Sequence, residues 1–151
     1  MYKRILIPLD GSPLAEQALQ HAIAIAERFE SELVLLQVLI PLSRPPTTAD
    51  AALRRANDAM AVYAREYLER VAADVQERGF TAQIITIRGR PHWEIINYAE
   101  TNQVDLIVMS TRGQSELSRW LMGSVSDRVV RGANVPVLMV RTRKIVSQES
   151  E

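Results

Sequence analysis

The residues best suited to chemistry lie between Asp105 and Ser124, in the stretch DLIVMSTRGQSELSRWLMGS. Leu106 to Met109 has the length and composition of a buried strand, and Ser110 to Gly113 follows it as a polar, flexible turn. The stretch ends at Gly123-Ser124, just before a helical pattern. Small residues and backbone N–H groups at the carboxyl end of a strand are the features with which open α/β sheets bind phosphorylated ligands. The stretch therefore predicts a nucleotide pocket.

The glycines of this stretch have the properties that phosphate binding requires. Gly113 and Gly123 allow the backbone to approach a ligand closely, and Ser124 adds a hydroxyl at the start of a helix. Ser124 and Asp127 also match the capping box [ST]-x-x-[DE], which would explain both residues without any ligand. Taken alone, that pair favours the cap. Arg112 and Arg119 flank the glycines and can reach phosphates, although solvated loop residues are the favoured interpretation.

A carboxylate follows the first apolar run at Asp10. If that run is a central strand, Asp10 lies at the crevice where the winding of the sheet reverses, next to the exit loop Ser110 to Gly113. There it could accept hydrogen bonds from a ribose hydroxyl, or it could cap the turn that follows. The spacing does not decide between the two.

Several other chemistries find no support in the composition. The chain has no Cys, which excludes disulfides, thiolate catalysis and Cys-based metal sites and is compatible with a reducing cytoplasm. His21 and His92 have no ligand-spaced partner, so we expect no protein metal site. Neither Gly-x4-Gly-Lys-[ST] nor Gly-x-Ser-x-Gly occurs.

Charge and hydropathy point away from nucleic acids and membranes. Lys plus Arg and Asp plus Glu are both 18, so nothing draws the chain to DNA or to an anionic membrane. No apolar run approaches the length of a membrane span, and the start MYKR leads directly into a strand without the features of a signal peptide. We expect a cytoplasmic location.

Five apolar runs and four amphipathic segments alternate along the 151 residues. The runs predict strands over Ile5–Leu9, Leu33–Leu39, Gln83–Ile87, Leu106–Met109 and Val135–Val140. The first helix is predicted to begin with Ser12 as N-cap and Pro13 in its first turn, with a buried stripe of Leu14, Ala18, Ala22, Ile25 and Phe29. Further helices are predicted over Ala49–Arg78, ended by Gly79, over His92–Glu100, and over Ser124–Arg131, ended by Gly132.

This alternation predicts an α/β fold with a five-stranded parallel sheet sandwiched by helices in a single domain. We expect the domain to cover residues 1–143, followed by a polar C-terminal tail over residues 144–151. The prolines between Pro41 and Thr48 exclude a helix there.

The motifs carry a resemblance to a known family. Pro8-Leu9-Asp10 after the first strand, with Ser110-x2-Gly113-x9-Gly123-Ser124 after the fourth, resembles the universal stress protein family in its ATP-binding form. The likeness runs from YKRILIPLDGS through VDLIVMSTRG and LMGSVSDRVV to NVPVLMVR. It implies a Rossmann-like or flavodoxin-like sheet with strand order 3-2-1-4-5, and a stress-response sensor or regulator that binds ATP or AMP.

The resemblance also implies residue roles. Pro8, Leu9 and Asp10 would line the adenosine end, and Val38 would meet the adenine edge with its backbone. Met109 and Ser110 would lie against the ribose. Gly113, Gly123, Ser124 and Val125 would hold the phosphates, with Ser126 close by and Mg²⁺ accompanying a triphosphate. A homodimer through the last strand, Val137 to Val140, is implied as well.

One position departs from the family pattern, because Ser110 replaces its first glycine. A side chain at this approach to the ribose predicts weakened or altered nucleotide binding. Two alternatives follow. One is slow ATP hydrolysis with Mg²⁺ bridging the phosphates and Asp10, for which no general base is evident. The other is a dimeric interaction protein of the same fold that binds no nucleotide.

Overall fold

The computed structural model describes residues 1–43, 50–112 and 122–142. Predictions for Gly113, for Arg119, for most of the proline-rich connection and for the C-terminal tail lie outside these residues. The strands are β1 (Arg4–Pro8), β2 (Glu32–Leu39), β3 (Ala82–Arg88), β4 (Leu106–Ser110) and β5 (Val137–Val140). The helices are α1 (Pro13–Phe29), α2 (Asp50–Glu77), α3 (Pro91–Thr101) and α4 (Ser124–Gly132).

The strands form one parallel sheet in the order β3-β2-β1-β4-β5. This confirms the predicted α/β class and strand order. β1 is central because its residues Ile5 to Ile7 are apolar and fully buried, as a strand covered on both faces must be. The sheet reverses its winding between β1 and β4, so the crevice expected of such folds lies above these two strands.

Helices cover both faces of the sheet. On one face Ile5, Ile7 and Leu35 pack with α1 and α2. On the other face Leu6, Val34 and Ile107 pack with α3 and α4. Alternate residues of the inner strands therefore serve opposite layers, which explains why β1 and β4 are apolar almost throughout, whereas the edge strand β3 carries the exposed residues Gln83, Thr86 and Arg88. No helix in the described ranges has the length and hydropathy to cross a membrane.

The start of α1 agrees with its prediction, and its buried stripe agrees at Ala18 and Ala22 only. Ser12 is the N-cap and its side chain accepts a hydrogen bond from the Ala15 N–H at 3.2 Å, with Pro13 in the first turn. The residues that face the sheet are all alanines, namely Ala15, Ala18, Ala22 and Ala26. The larger predicted members Leu14, Ile25 and Phe29 are only partly buried. Small side chains let α1 lie close to the sheet, so the helix turns its alanines to the sheet and not its larger apolar residues.

The ends of α2 and α4 show two uses of glycine. Gly79 follows α2 with φ of +88°, and the Phe80 N–H donates to the Val75 carbonyl at 3.3 Å, which confirms the predicted left-handed helix stop. Gly132 was predicted to follow α4 directly and is instead its last residue, so the predicted end is confirmed to within one residue. A Cβ there would lie 2.9 Å from Cδ1 of Ile96, so this glycine allows α4 to approach α3.

Helices α1 and α2 are joined by a polar contact. The Tyr67 hydroxyl on α2 donates a hydrogen bond to Oε1 of Glu16 on α1 at 2.9 Å. Burial raises the pKa of Tyr67 above its ordinary value, and the hydrogen bond to Glu16 and the negative charges of Glu16 and Asp10 raise it further. The phenol therefore stays protonated in the folded protein and keeps donating this bond.

Candidate functional site

A crevice of about 380 Å³ opens above the carboxyl ends of β1, β2 and β4. Nine of the predicted site residues line it: Pro8, Leu9, Asp10, Val38, Met109, Ser110, Gly123, Val125 and Ser126. They come from three strands and from the start of α4, which the sheet topology brings together. Gly113 lies outside the described residues, and Ser124 is exposed beside the crevice without lining it.

The crevice has further walls that the sequence did not reveal. Gln37 and Ile40 come from the end of β2, Pro91 and Ile95 from α3, and Met60 from α2. The rule that ligands bind at the carboxyl ends of strands could have found the first two. Met60 belongs to the helix predicted over Ala49–Arg78, and nothing in its local sequence indicates that this helix reaches the crevice.

Asp10 caps the turn after β1 while it lines the crevice. Its Oδ1 accepts hydrogen bonds from the Ser12 N–H at 2.9 Å and from the Ser12 hydroxyl at 2.6 Å. The turn-capping interpretation of Asp10 is thus confirmed. Since these bonds fix the carboxylate at the crevice wall, the cap also orients the group that a ribose hydroxyl would meet.

Ser110 binds the end of β4 to the first turn of α1. Its hydroxyl donates to the carbonyls of Leu14 at 2.7 Å and Ala15 at 3.2 Å, and the residue is only 6% exposed. The hydroxyl is thus directed to the α1 side of the sheet. The serine that replaces the family's glycine uses its side chain to hold a helix.

A cluster of three residues, Thr111, Gly123 and Ser126, joins the two ends of the loop between β4 and α4; we call it the loop base. The Gly123 N–H donates to the Thr111 carbonyl at 2.7 Å. The Ser126 hydroxyl, which is buried, donates to the Thr111 carbonyl at 2.9 Å and to the Gly123 carbonyl at 3.1 Å. The start of α4 is therefore held against the end of β4.

The N-terminus of helix α4 lies at the crevice. Gly123 is the N-cap without a side-chain cap, and the Asp127 N–H donates to the Gly123 carbonyl at 2.8 Å. The capping box with Ser124 as N-cap is therefore wrong, and the Asp127 carboxylate instead pairs with Arg131 at 3.0 Å. The N–H groups of Val125 and Ser126 precede this first helical bond, so the helix supplies no acceptor for them. They favour an anion there.

The backbone N–H and C=O of Val38 lie on the side of β2 where β1 has ended, and we call these two groups the open edge of Val38. Along β2 the even-numbered residues bond toward β1, as when the Leu9 N–H donates to the Leu36 carbonyl at 2.8 Å. The odd-numbered residues bond toward β3, as when the Gly89 N–H donates to the Leu39 carbonyl at 2.9 Å. The N–H and C=O of Val38 therefore point to the β1 side of β2. Because β1 ends at Pro8, these two groups face the crevice.

The crevice carries one charge of each sign among its described lining residues, Asp10 and Arg112. Arg112 is partly buried and takes part in none of the ion pairs between described residues. No group of three His, Cys, Asp or Glu side chains within residues 1–43, 50–112 and 122–142 could hold a metal ion.

A doubly wound parallel sheet with a crevice at its switch point defines a flavodoxin-like α/β protein. The model of the universal stress protein family matches residues 1–141, and the chain belongs to this family. The family resemblance of the motifs is thereby confirmed.

The relatives match over nearly the whole chain. Universal stress protein MJ0531 of Methanocaldococcus jannaschii is 35% identical over 144 residues, which cover 95% of this chain and 85% of the relative. The solved structure of protein MJ0577 from the same organism is 33% identical with a TM-score of 0.84, covering 95% of this chain and 99% of that one.

Two further solved structures share the fold at lower identity. One is a universal stress protein in complex with cAMP, at 23% identity and a TM-score of 0.64, covering 94% of this chain and 98% of that one. The other is the universal stress protein of Archaeoglobus fulgidus in complex with dAMP, at 21% identity and a TM-score of 0.64, covering 91% of this chain and 97% of that one.

Proposed function

We propose that this protein binds an adenine nucleotide, ATP or AMP, in the crevice above β1, β2 and β4, and acts as a sensor or regulator in the stress response. The observation that carries the proposal is the convergence of three groups on one crevice: the open edge of Val38, the carboxylate of Asp10 and the N-terminus of α4. The complexes of two proteins of this fold with cAMP and dAMP support it.

Each part of a nucleotide has residues of suitable chemistry in the crevice. The base lies against the open edge of Val38, between the apolar side chains of Met60 and Ile95. The ribose lies at Asp10. The phosphates lie at the N–H groups of Val125 and Ser126, where the helix N-terminus favours negative charge. Mg²⁺ enters with a triphosphate, bound chiefly by phosphate oxygens.

Arg112 should make the affinity depend on the number of phosphates in the ligand. It lines the phosphate end of the crevice beside Gly123 and Val125, and a guanidinium binds phosphate through charge-assisted hydrogen bonds. Affinity should therefore follow the order ATP, AMP, adenosine.

Isothermal titration calorimetry with these three ligands tests the proposal. Arg112→Gln is expected to weaken ATP roughly tenfold while leaving adenosine nearly unchanged, because only the phosphates meet the lost charge. Arg78→Gln is the matched control. Arg78 is exposed and lies between α2 and the amino end of β3, whereas the crevice lies at the carboxyl ends of the strands. If the purified protein binds none of the three at millimolar concentration, the proposed function is wrong.

A further inference from the structure

The hydroxyl of Ser12 joins Asp10 to the first turn of α1. It accepts a hydrogen bond from the Ala15 N–H at 3.2 Å and lies 2.6 Å from Oδ1 of Asp10. A carboxylate can only accept hydrogen bonds, so the proton of the hydroxyl points to Asp10. Ser12 is 6% exposed and is not among the lining residues of the crevice, whereas Asp10 is partly exposed and lines it. Ser12 can therefore act on a ligand only through Asp10.

The fold requires only part of what Ser12 provides. The turn after β1 is closed by the Ser12 N–H, which donates to Oδ1 of Asp10 at 2.9 Å. The start of α1 requires the hydroxyl oxygen as an acceptor for the Ala15 N–H. Neither task uses the proton of the hydroxyl. That proton forms a second and shorter bond to Asp10, and hydrogen bonds to a carboxylate are among the stronger ones in proteins.

The two bonds from Ser12 determine how Asp10 presents its carboxylate to the crevice. Both bonds end on Oδ1, so a rotation of the carboxylate breaks both. Ser12 is itself fixed, because its oxygen is bound to the N–H of Ala15, and Ala15 is packed in the core. An acceptor that is already held in place needs no ordering when a ligand binds. It therefore distinguishes well between ligands that bring a donor and ligands that do not.

We propose that Ser12 is a positioning residue: its hydroxyl holds the carboxylate of Asp10 in the orientation that accepts a hydrogen bond from a ribose hydroxyl. Ser12 thereby sets the preference of the crevice for a nucleotide with ribose hydroxyls over one without them. This inference rests on the proposed nucleotide function and deepens it, since it assigns the selectivity for the sugar. A sugar without hydroxyls leaves the carboxylate without that donor, and a carboxylate that is held in place cannot turn to another partner.

Calorimetric titration of the full chain with ATP and with dideoxy-ATP, which lacks both ribose hydroxyls, tests the proposal. The wild type is expected to bind ATP about tenfold more tightly than dideoxy-ATP. Ser12→Ala removes the donor to Asp10 and should weaken ATP roughly three- to tenfold. The same variant should bind dideoxy-ATP within about twofold of wild type, because this ligand brings no hydroxyl to Asp10.

Two further variants separate positioning from the stability of α1. Ser12→Gly also removes the hydroxyl, but glycine is well tolerated at a helix N-cap. It should lose the preference for ATP as Ser12→Ala does, with a smaller loss of stability, and it replaces the alanine variant if that variant does not fold. Ser31→Ala is the matched control. Ser31 is also buried, its hydroxyl donates to the Tyr2 carbonyl, and it lies at the amino end of β2, away from the crevice. This control should keep the wild-type preference.

The outcomes separate the two proposals. If the wild type prefers ATP and both Ser12 variants keep that preference, the role of Ser12 is overturned and the proposed function stands. Equal weakening of both ligands also overturns it, because Ser12 would then act through the start of α1 alone. If the wild type binds both ligands equally well, no ribose hydroxyl meets Asp10, and the sugar selectivity is overturned while nucleotide binding stands. If the wild type binds neither ligand, the proposed function fails and the role of Ser12 fails with it.

Discussion

Ser110 stands where the family pattern has its first glycine, and its contacts give the substitution a structural role. The hydroxyl is bound to the carbonyls of Leu14 and Ala15, on the α1 side of the sheet. The sequence alone predicted that a side chain here would weaken nucleotide binding. Since the hydroxyl is turned to α1, we now expect Ser110 to stabilise the protein and to leave binding largely intact.

Ser110→Gly tests this expectation. The variant loses two hydrogen bonds to α1 and gains backbone freedom in the unfolded state, so its free energy of unfolding should fall by about 1–2 kcal/mol. ATP affinity should stay within about twofold of wild type, because the lost contacts lie outside the nucleotide path. Urea denaturation and calorimetry measure the two quantities. A marked gain in affinity on restoring the glycine would contradict the expectation.

At the scale of elements, the loop base determines where α4 begins relative to β4. Ser126→Ala removes the hydroxyl that donates to Thr111 and Gly123 and should lower the free energy of unfolding by about 1–2 kcal/mol. ATP affinity should fall as well, because the N–H groups of Val125 and Ser126 are then less well fixed. Ser43→Ala, at an exposed position away from the crevice, is the control for stability. Equal stability of the two variants would disprove the role of Ser126.

The contact between α1 and α2 predicts a pH dependence. Folding raises the pKa of Tyr67, so the unfolded phenol ionises first as pH rises above its ordinary value of about 10. The stability from the protonated phenol is complete below that pH and is lost above it. Wild type should therefore lose stability relative to Tyr67→Phe as pH rises from about 10 to about 11, just above the free phenol's pKa. Parallel stability curves for the two proteins would refute this.

Sequence predicted the elements better than their contacts. Apolar runs predicted all five strands, and the family resemblance predicted their order in the sheet. The stripe of α1 was partly wrong because alanines, which carry little hydrophobic signal, face the sheet where the helix lies close. The strand ends and the family pattern predicted most of the crevice. The position of Met60 at the crevice depends on tertiary packing, which local sequence does not encode.

At the scale of the whole molecule, β5 is an edge strand whose outer side is unpaired within the described chain. Its Leu138 is 36% exposed, and an apolar edge of this kind is a template for pairing with another strand. A second copy that pairs through β5 across a two-fold axis would cover both edges at once. We therefore predict a homodimer through Val137–Val140.

Sedimentation velocity at micromolar concentration measures this state. Leu138→Lys should shift the protein to a monomer, because two like charges would meet across the two-fold axis. Val130→Lys is the matched control, since Val130 is an apolar residue of α4 with 42% exposure. A monomeric wild type, or a Leu138→Lys variant that remains dimeric, would contradict the predicted interface.

The early end of β1 has a consequence for how a ligand contributes to the sheet. In the proposed complex, a base at Val38 would take the hydrogen-bonding position that the next residue of β1 would have had, and would extend the pairing of β2 by one residue. Hydrogen exchange should then slow at the Val38 amide when ATP binds. The Val34 amide is the internal reference, since it already points to β1 within the paired region. Unchanged exchange at Val38 in the ATP-saturated protein would mean that the base lies elsewhere. Slowed exchange at Val38 would mean that the ligand completes the hydrogen bonding of β2, so that the stability of this end of the sheet would rise with the ligand's concentration.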